Sequence, residues 1–295
     1  MREKINDYIN YLKSVKKVSK NTLMAYEKDL NDYYVYLNTQ KIPLSKVRKN
    51  TIYIYEKHMA AEGKSSSSIA RALASMRGFH QHLFFKGSTR TNPTAGIETP
   101  KIERVLPEIL TISETERLIQ QPECTNYRGY RDKAILELLY ATGIRVSELL
   151  MLKLNDVDIS RGTISCTDRI IPFGNFSSEA LVSYLKFSPF HDLENPKDVY
   201  LFTNSAGKQL TRQGIWKLIK KYHELSGIKK HVSPQILRNS FAAHLLENGA
   251  DIKIVQELMG HTALSSTLIY AELNKNRLRE AYDKSHPRAK MIKSE

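Results

Sequence analysis

Apolar and aromatic side chains recur every three to four residues through residues 1–88, the spacing of one face of an α-helix. Two runs show the spacing best, one of Ile5, Tyr8, Ile9 and Leu12 and one of Leu23, Tyr26, Leu30, Tyr33, Tyr34 and Leu37. Ser19 stands where it can cap the second helix. A third helix is predicted from Asn50 to Ala61, stopped by Gly63, and a fourth after the serines of residues 65–68. This part of the chain is therefore expected to be all-helical.

Residues 89–110 break the helical pattern. Asn92, Thr99 and Leu106 each precede a proline, which disfavours helical backbone at the preceding residue. Lys101 and Arg104 make the segment basic. The sequence therefore predicts an extended linker between a first domain, residues 1–88, and a second, residues 111–295. Such a linker could let the two domains close around a rod-like ligand.

The second domain mixes helices with a few short strands. Its first helix follows Thr111, where Ser113 and Glu116 have the spacing of a capping box. A longer helix is predicted from Arg128 to Tyr140. Short β-like runs follow at 157–159, 163–165 and 169–171, with a turn at Arg161 and Gly162. Further helices are predicted at about 177–187, 212–226, 234–248, 251–259 and 274–283. The expected fold class is mainly α with a small antiparallel β-sheet.

The net charge of +14 favours a polyanionic partner, most simply nucleic acid, although charge can also serve solubility alone. Cys124 and Cys166 have no neighbouring cysteine, so neither a disulfide framework nor a thiolate metal site is predicted. The N-terminus is charged where a signal peptide needs an apolar core. No apolar run reaches the ~18 residues that span a bilayer. We expect a soluble, cytoplasmic protein.

Four residues suggest chemistry on a phosphodiester. Tyr270 is a poor nucleophile unless cations surround its target, and Arg145, Arg238 and His261 could supply them. Each also has an ordinary structural role open to it. Arg145 could pair with Glu148 along a helix. Arg238, flanked by apolar residues, needs an anionic partner that could be a carboxylate or a phosphate. His261 could cap a helix end, and Tyr270 could be a core residue.

Three stretches contain these residues: Leu139-Tyr-Ala-Thr-Gly-Ile-Arg145-Val-Ser-Glu-Leu149, residues 237–251 beginning Leu-Arg-Asn-Ser-Phe, and Val255-Gln-Glu-Leu-Met-Gly-His261. Together they resemble the tyrosine recombinase (phage integrase) family, and most of all its Xer-type site-specific recombinases. The resemblance covers nearly the whole chain and places Tyr270 at the family's nucleophile position. It implies an N-terminal helical core-binding (SAM-like) domain and a C-terminal catalytic domain that form a C-shaped clamp around DNA.

The resemblance also implies roles. Arg145 and Arg238 would hold the scissile phosphate, His261 would bind it or assist proton transfer, and Tyr270 would form a 3′-phosphotyrosine without metal, ATP or other cofactor. Basic residues predicted to contact DNA are Lys20, Lys64, Arg71, Arg77 and Arg212. The expected partners are double-stranded DNA and related protomers in a homo- or hetero-tetramer. A helix at 274–283 could dock on a neighbouring protomer or pack within its own chain.

Two positions depart from the family pattern. Gln235 stands where the family has the histidine of His-x-x-Arg, and an amide cannot take a proton at neutral pH. The family's β-hairpin lysine has no counterpart, since no lysine occurs between Lys153 and Lys186, and Arg169 is a poor proton donor. Two hypotheses remain. The chain is a working recombinase for dimer resolution or mobile-element integration, or a catalytically weakened DNA-binding relative that acts as partner or regulator. A basic helical scaffold without a DNA role would leave the motifs unexplained.

Overall fold

The computed structural model describes residues 1–98, 106–166, 168–190, 199–260 and 266–270. Within the chain, residues cluster into two compact units, Met1–Arg104 and Val105–Glu295. Each unit has its own hydrophobic core. No helix within the described ranges is both long enough and apolar enough to cross a bilayer.

The first unit consists of four α-helices. They are α1 (Arg2–Ser14), α2 (Lys20–Thr39), α3 (Lys49–Ala61) and α4 (Ser66–Phe85), with a short 3-10 turn at Leu44–Lys46. Ser19 and Ser65 cap α2 and α4, each hydroxyl accepting from the backbone N–H three residues on at 3.3 Å. The predicted helices of this unit and the Ser19 cap are therefore present.

Large side chains from all four helices fill the core of the first unit. Tyr33, Met76 and Phe79 are completely buried there. The Tyr33 hydroxyl lies 3.2 Å from Nε2 of His80, and burial lowers the pKa of His80 to about 4. The imidazole is therefore neutral, as a buried group without a charged partner should be.

Helices also dominate the second unit. They are α5 (Ile112–Ile119), α6 (Tyr127–Thr142), α7 (Val146–Met151), α8 (Asn175–Phe187), α9 (Arg212–Ser226), α10 (Pro234–Glu247) and α11 (Ile252–Met259). Residues 266–270 are again helical. The expected capping box at Ser113 and Glu116 is wrong by two residues: Thr111 caps α5 and pairs with Glu114. The helix therefore begins two residues earlier than a cap at Ser113 predicts. The helix expected at 274–283 lies outside the described residues.

Three short strands form an antiparallel sheet in the order β1 (Val157–Asp158), β2 (Thr163–Cys166), β3 (Arg169–Pro172). Ile164 pairs with Ile171, and both side chains are fully buried against the helices. Cys166 pairs with Arg169, so only two residues separate the paired ends of β2 and β3. The structure thus agrees with the predicted fold class and with the short hairpin.

Helix α6 lies at the centre of the second unit. Ala134, Ile135, Leu136, Leu138 and Leu139 are all buried, so the helix is enclosed on nearly every side. Helix α10 packs against it, and beyond α10 lies a smaller cluster of Phe241, Ala242, Val255, Met259 and Tyr270. This smaller cluster connects α10, α11 and the helical residues 266–270, and it places Tyr270 beside the motif of Arg238.

The ends of the predicted linker pack into the two cores. Ile97 is buried in the core of the first unit, and Leu110 in that of the second. The Leu110 N–H donates to the Ser240 hydroxyl at 2.9 Å. The segment outside both cores is therefore shorter than residues 89–110.

Candidate active site

Arg145 lies at the N-cap of α7, directly after the turn that ends α6. Its guanidinium donates to Glu148 Oε1 at 2.8 Å and to the Gly260 carbonyl at 2.6 Å. The backbone N–H of Arg145 donates to the other carboxylate oxygen at 2.8 Å. The helical pair of Arg145 and Glu148 is thus present. It leaves the arginine side chain 40% exposed, so the guanidinium is open to a ligand.

Glu148 also binds Arg169 from β3. The two guanidinium nitrogens of Arg169 donate to the two carboxylate oxygens at 3.0 and 2.9 Å, a bidentate pair. The Arg169 side chain is only 6% exposed. Burial alone would raise the pKa of Glu148, but hydrogen bonds from Arg169 and Arg145 outweigh it and hold the pKa at about 2. Glu148 is therefore an anion that connects the sheet to Arg145.

Arg238 lies on α10 and is 5% exposed. Its guanidinium donates to the backbone carbonyls of Gly143 and Met259. The anionic partner expected from the sequence is thus replaced by two carbonyl oxygens, which carry partial rather than full negative charge. Burial, together with the nearby charge of Arg145, lowers the pKa of Arg238 to about 10. The group remains a cation at neutral pH.

The C-terminal end of α11 accepts hydrogen bonds from all three arginines. Arg169 Nε donates to the Leu258 carbonyl at 2.9 Å, Arg238 donates to Met259, and Arg145 donates to Gly260. The last carbonyls of a helix lack partners within the helix and carry the negative end of its dipole. They therefore assemble cations that would otherwise repel one another.

Two glycines permit this close approach. Gly260 has a φ of +58°, and a Cβ there would lie 2.6 Å from one guanidinium nitrogen of Arg169 and 3.2 Å from one of Arg145. Gly143 has a φ of +57°, and a Cβ there would lie 2.3 Å from the Phe241 ring. Both positions need a left-handed backbone, and neither has room for a side chain.

Tyr270 is 4% exposed and lies against α10. Its hydroxyl donates to Oδ1 of Asn239 at 3.0 Å. Burial raises the pKa of Tyr270, while the charge of Arg238 acts in the opposite direction. Gln235, one turn earlier on α10, donates to the same Asn239 oxygen at 2.8 Å. Among the predicted catalytic residues, the structure therefore brings together Arg145, Arg238, Gln235 and Tyr270.

A shallow depression opens above the arginines. Arg145, Arg238 and Gln235 line it, joined by Arg212 and Trp216 from α9. Arg212 is exposed, and Trp216 is 46% exposed. The depression therefore combines three arginines with an accessible aromatic face, a set suited to an anionic group that carries planar rings. Over the ranges that the structure describes, no three His, Cys, Asp or Glu side chains are grouped as metal ligands would be.

The family models match both units. The phage integrase family model matches residues 108–277, and the model of the phage integrase N-terminal SAM-like domain matches residues 5–87. The chain belongs to the phage integrase family.

Curated relatives agree over the full length. Tyrosine recombinase XerD of Staphylococcus haemolyticus (strain JCSC1435) is 40% identical over 291 residues, covering 97% of this chain and 99% of the relative. Tyrosine recombinase XerD of Listeria innocua serovar 6a is 40% identical over 299 residues, covering 98% and 100%. The prediction of a site-specific tyrosine recombinase similar to the Xer proteins is therefore confirmed.

Solved structures support the fold. The crystal structure of XerA recombinase is 28% identical with a TM-score of 0.54, covering 97% of this chain and 99% of that one. The XerH site-specific recombinase bound to palindromic difH substrate, in a post-cleavage complex, has a TM-score of 0.76 at 20% identity, covering 96% and 89%. The phage integrase fold assignment is thus consistent across sequence and structure.

Other predicted site residues of this family member have varied surroundings. His261 follows Gly260 in the sequence and lies outside the described residues. Lys20 and Lys64 are exposed on the first unit. Arg71 forms a bidentate pair with Asp29, both hydrogen bonds being 2.9 Å long. Arg77 donates to the Ile97 carbonyl at 2.8 Å. The roles of these residues in DNA binding stay predictions.

Sequence reasoning missed two features of this recombinase site. It treated Arg169 only as a poor proton donor, whereas the side chain is the buried partner of Glu148. It assigned no chemical role to Asn239, whereas the amide oxygen of Asn239 accepts a hydrogen bond from the Tyr270 hydroxyl. No sequence spacing indicated the first, since Arg169 and Glu148 lie 21 positions apart. No sequence spacing indicated the second.

Proposed function

We propose that this chain cuts and rejoins duplex DNA at a specific site by forming a covalent link between Tyr270 and a 3′ phosphate. The observation that carries the proposal is the convergence of Arg145 and Arg238 on the carbonyl end of α11, next to the packed Tyr270. Cations and a tyrosine at one place are what transfer of a phosphodiester to a phenol requires.

Arg145 and Arg238 would bind the two non-bridging oxygens of the scissile phosphate. Arg238 donates to two neutral carbonyls, and Arg145 donates to one carbonyl and to Glu148. A phosphate oxygen is a stronger acceptor than a carbonyl because it carries a full charge. A phosphate would also relieve the repulsion between the two guanidinium groups. As charge accumulates on phosphorus in the transition state, both contacts strengthen, and this difference accelerates the reaction.

In the cleavage step, the phenol oxygen of Tyr270 bonds to phosphorus as the bond from phosphorus to the 5′-oxygen breaks. The phenol loses one proton and the leaving oxygen gains one, so no external oxidant, reductant or nucleotide is needed. Rejoining is the same exchange in reverse. Because Tyr270 is 4% exposed, the contacts that cover its hydroxyl must open before a DNA phosphate can reach the phenol oxygen.

Among the residues that the structure describes, no side chain is identified as a proton donor to the leaving 5′-oxygen. Only two residues, 167 and Asp168, separate the paired ends of β2 and β3, where the family has a lysine. Loss of a general acid typically slows a reaction by about 10²–10⁴-fold. We therefore propose slow cleavage by the isolated chain, or a proton supplied by a partner subunit.

A second candidate function is a weakened relative that binds DNA and regulates an active recombinase. The short hairpin and the amide partner of Tyr270 favour it. Retention of Arg145, Arg238 and Tyr270 in one cluster favours cleavage, since DNA binding alone needs no buried tyrosine at that place. Cleavage is therefore the main proposal.

The partner in either case is double-stranded DNA. The similar fold of the XerH site-specific recombinase, which is bound to palindromic difH substrate, supports this. We propose residues 1–88 as the core-binding domain, 89–110 as linker and 111–295 as the catalytic domain, closing as a clamp on DNA. We further propose that the chain assembles as a homo- or hetero-tetramer in the cytoplasm. Its proposed biological role is dimer resolution or mobile-element integration.

A nicked suicide duplex tests the proposal. The duplex would be selected for binding from a random-sequence library, and the product would be a covalent protein–DNA adduct on a denaturing gel. We expect an adduct with the native chain and none with Tyr270→Phe. Tyr130→Phe is the matched control, because Tyr130 stacks on Phe187 through its ring, 4.3 Å between centroids, and the phenylalanine keeps that contact. Binding without an adduct, even with a related recombinase added, would leave only the regulatory function.

A further inference from the structure

Three contacts fix the amide of Asn239. The Tyr270 hydroxyl and the Gln235 amide nitrogen both donate to Oδ1, at 3.0 and 2.8 Å. On the other side, Nδ2 faces the Glu108 carbonyl at 3.4 Å. The Glu108 carbonyl can only accept, so it selects the orientation in which Nδ2 faces it and Oδ1 faces the Tyr270 hydroxyl. Asn239 is 6% exposed, and packing holds this arrangement.

The phenol proton of Tyr270 therefore points at an atom that cannot take it. An amide oxygen accepts a hydrogen bond but is not protonated near neutral pH. A hydrogen bond given by the phenol also favours its neutral form over the phenolate. Gln235 is exposed and reaches Asn239 rather than Tyr270. The residue that meets the phenol proton is thus at position 239.

We propose that Asn239, and not Gln235, is the positioning residue that keeps Tyr270 protonated, and that a proton acceptor at position 239 activates the nucleophile. The proposal rests on the proposed cleavage by Tyr270. In an Asn239→His variant the phenol oxygen bonds to phosphorus as the bond to the 5′-oxygen breaks. The phenol proton passes to the introduced imidazole, and the leaving oxygen takes a proton from water.

The experiment compares Asn239→His with Gln235→His at saturating DNA, in single-turnover cleavage of a duplex with a 5′-bridging phosphorothiolate. That leaving group needs no acid, so the rate reports on the nucleophile. Asn239→His should cleave at least about tenfold faster than the native chain. Its rate should rise with pH through the ordinary imidazole pKa of about 6.5. Gln235→His places its imidazole one helical turn away and should not gain this dependence.

A purely structural role for Asn239 would change stability and leave the shape of the pH profile unaltered. Melting temperature and DNA affinity are therefore measured for each variant. If Asn239→His does not fold, Asn239→Asp keeps the shape of the side chain and offers a carboxylate as acceptor, so it should also cleave faster at neutral pH. A pH dependence gained by Gln235→His alone, or by no variant, would overturn the proposal.

The measurements distinguish a failure of the role proposed for Asn239 from a failure of the proposed DNA cleavage by Tyr270. A Tyr270-dependent adduct in the native chain, without any gain from substitution at position 239, overturns only the role of Asn239. No adduct in any variant, despite DNA binding and the phosphorothiolate leaving group, refutes cleavage and the role of Asn239 together.

Discussion

At the scale of single residues, Arg238 has an unusual environment. It is 5% exposed, and its recorded acceptors are carbonyl oxygens rather than a carboxylate. Burying a cation whose hydrogen-bond acceptors carry only partial negative charge is costly. The cost shows in its pKa, which burial and Arg145 lower to about 10. A bound phosphate would place a full negative charge beside this guanidinium.

Glu148 is the residue on which Arg145 and Arg169 both depend. We expect Glu148→Gln to destabilise the second unit by roughly 1–3 kcal/mol, since the buried Arg169 loses its charged partner. Cleavage should also slow, because Arg145 loses the carboxylate that holds it. Chemical denaturation and single-turnover cleavage measure the two effects. Glu257→Gln, an exposed position on α11, is the control and should change neither. Equal stability of the two variants would contradict the role of Glu148.

The low pKa of Glu148 predicts acid sensitivity. Its pKa is about 2 in the folded chain against an ordinary value near 4.5, so the folded state favours the ionised form. The stability that this provides is complete above about pH 4.5 and is lost as the pH falls towards 2. The gap in unfolding free energy between the native chain and Glu148→Gln should therefore be constant at neutral pH and shrink below pH 4.5. A gap independent of pH would show that the ion pairs contribute nothing.

At the scale of elements, the C-terminal end of α11 organises the site. Three consecutive carbonyls, from Leu258 to Gly260, each accept from a different arginine. The arginines come from α7, β3 and α10, so one helix end connects three elements. A shift of α11 would move all three guanidinium groups together.

Gly260 tests this arrangement. Gly260→Ala places a Cβ 2.6 Å from Arg169 and should displace the arginines, so that cleavage falls sharply and DNA is held more weakly. Gly227→Ala is a matched control, because Gly227 has a similar φ of +64° but no atom within 4 Å of the added Cβ. Both variants carry the left-handed backbone penalty of roughly 1 kcal/mol. Only Gly260→Ala should lose activity, and equal losses would refute the steric explanation.

The hairpin between β2 and β3 offers a gain-of-function test. Inserting Gly-Lys-Gly between Cys166 and Arg169 should be tolerated, since lengthening a surface turn costs little. If the missing lysine limits the reaction, the insertion should speed cleavage of an ordinary phosphodiester and leave a 5′-bridging phosphorothiolate unaffected. Gly-Ala-Gly is the control of equal length. A gain with alanine, or on both substrates, would rule out proton donation as the cause.

Local patterns in the sequence predicted local structure well. Ser19 caps a helix as expected, and the runs at 157–159, 163–165 and 169–171 correspond to the three strands of the sheet. The error at Thr111 arose because overlapping Thr-x-x-Glu and Ser-x-x-Glu spacings both fit a cap. The contact of Tyr270 with Asn239 joins residues 31 positions apart, so it depends on how helices pack. No periodicity along the chain encodes such a contact.

At the scale of the whole molecule, the chain has two compact units, each with a hydrophobic core of its own. Ile97 belongs to the first core and Leu110 to the second. The net charge of +14 belongs to the whole chain, and its exposed members include Lys20 and Lys64 on one unit and Arg212 on the other. Binding of a polyanion by both units would use these charges jointly.

The salt dependence of DNA affinity tests whether the exposed cations of both units bind DNA phosphates. The logarithm of DNA affinity should fall linearly with the logarithm of salt concentration, with a slope of about −0.9 for each phosphate neutralised. Lys20→Ala, Lys64→Ala and Arg212→Ala should each make the slope shallower by about 0.9, because each removes one phosphate contact. Lys186 on α8 is an exposed cation outside the predicted set, so Lys186→Ala should leave the slope unchanged.

If only Arg212→Ala alters the slope, DNA is bound by the second unit alone. A slope near zero for the native chain would refute phosphate binding, and with it every role proposed for the arginines around α11.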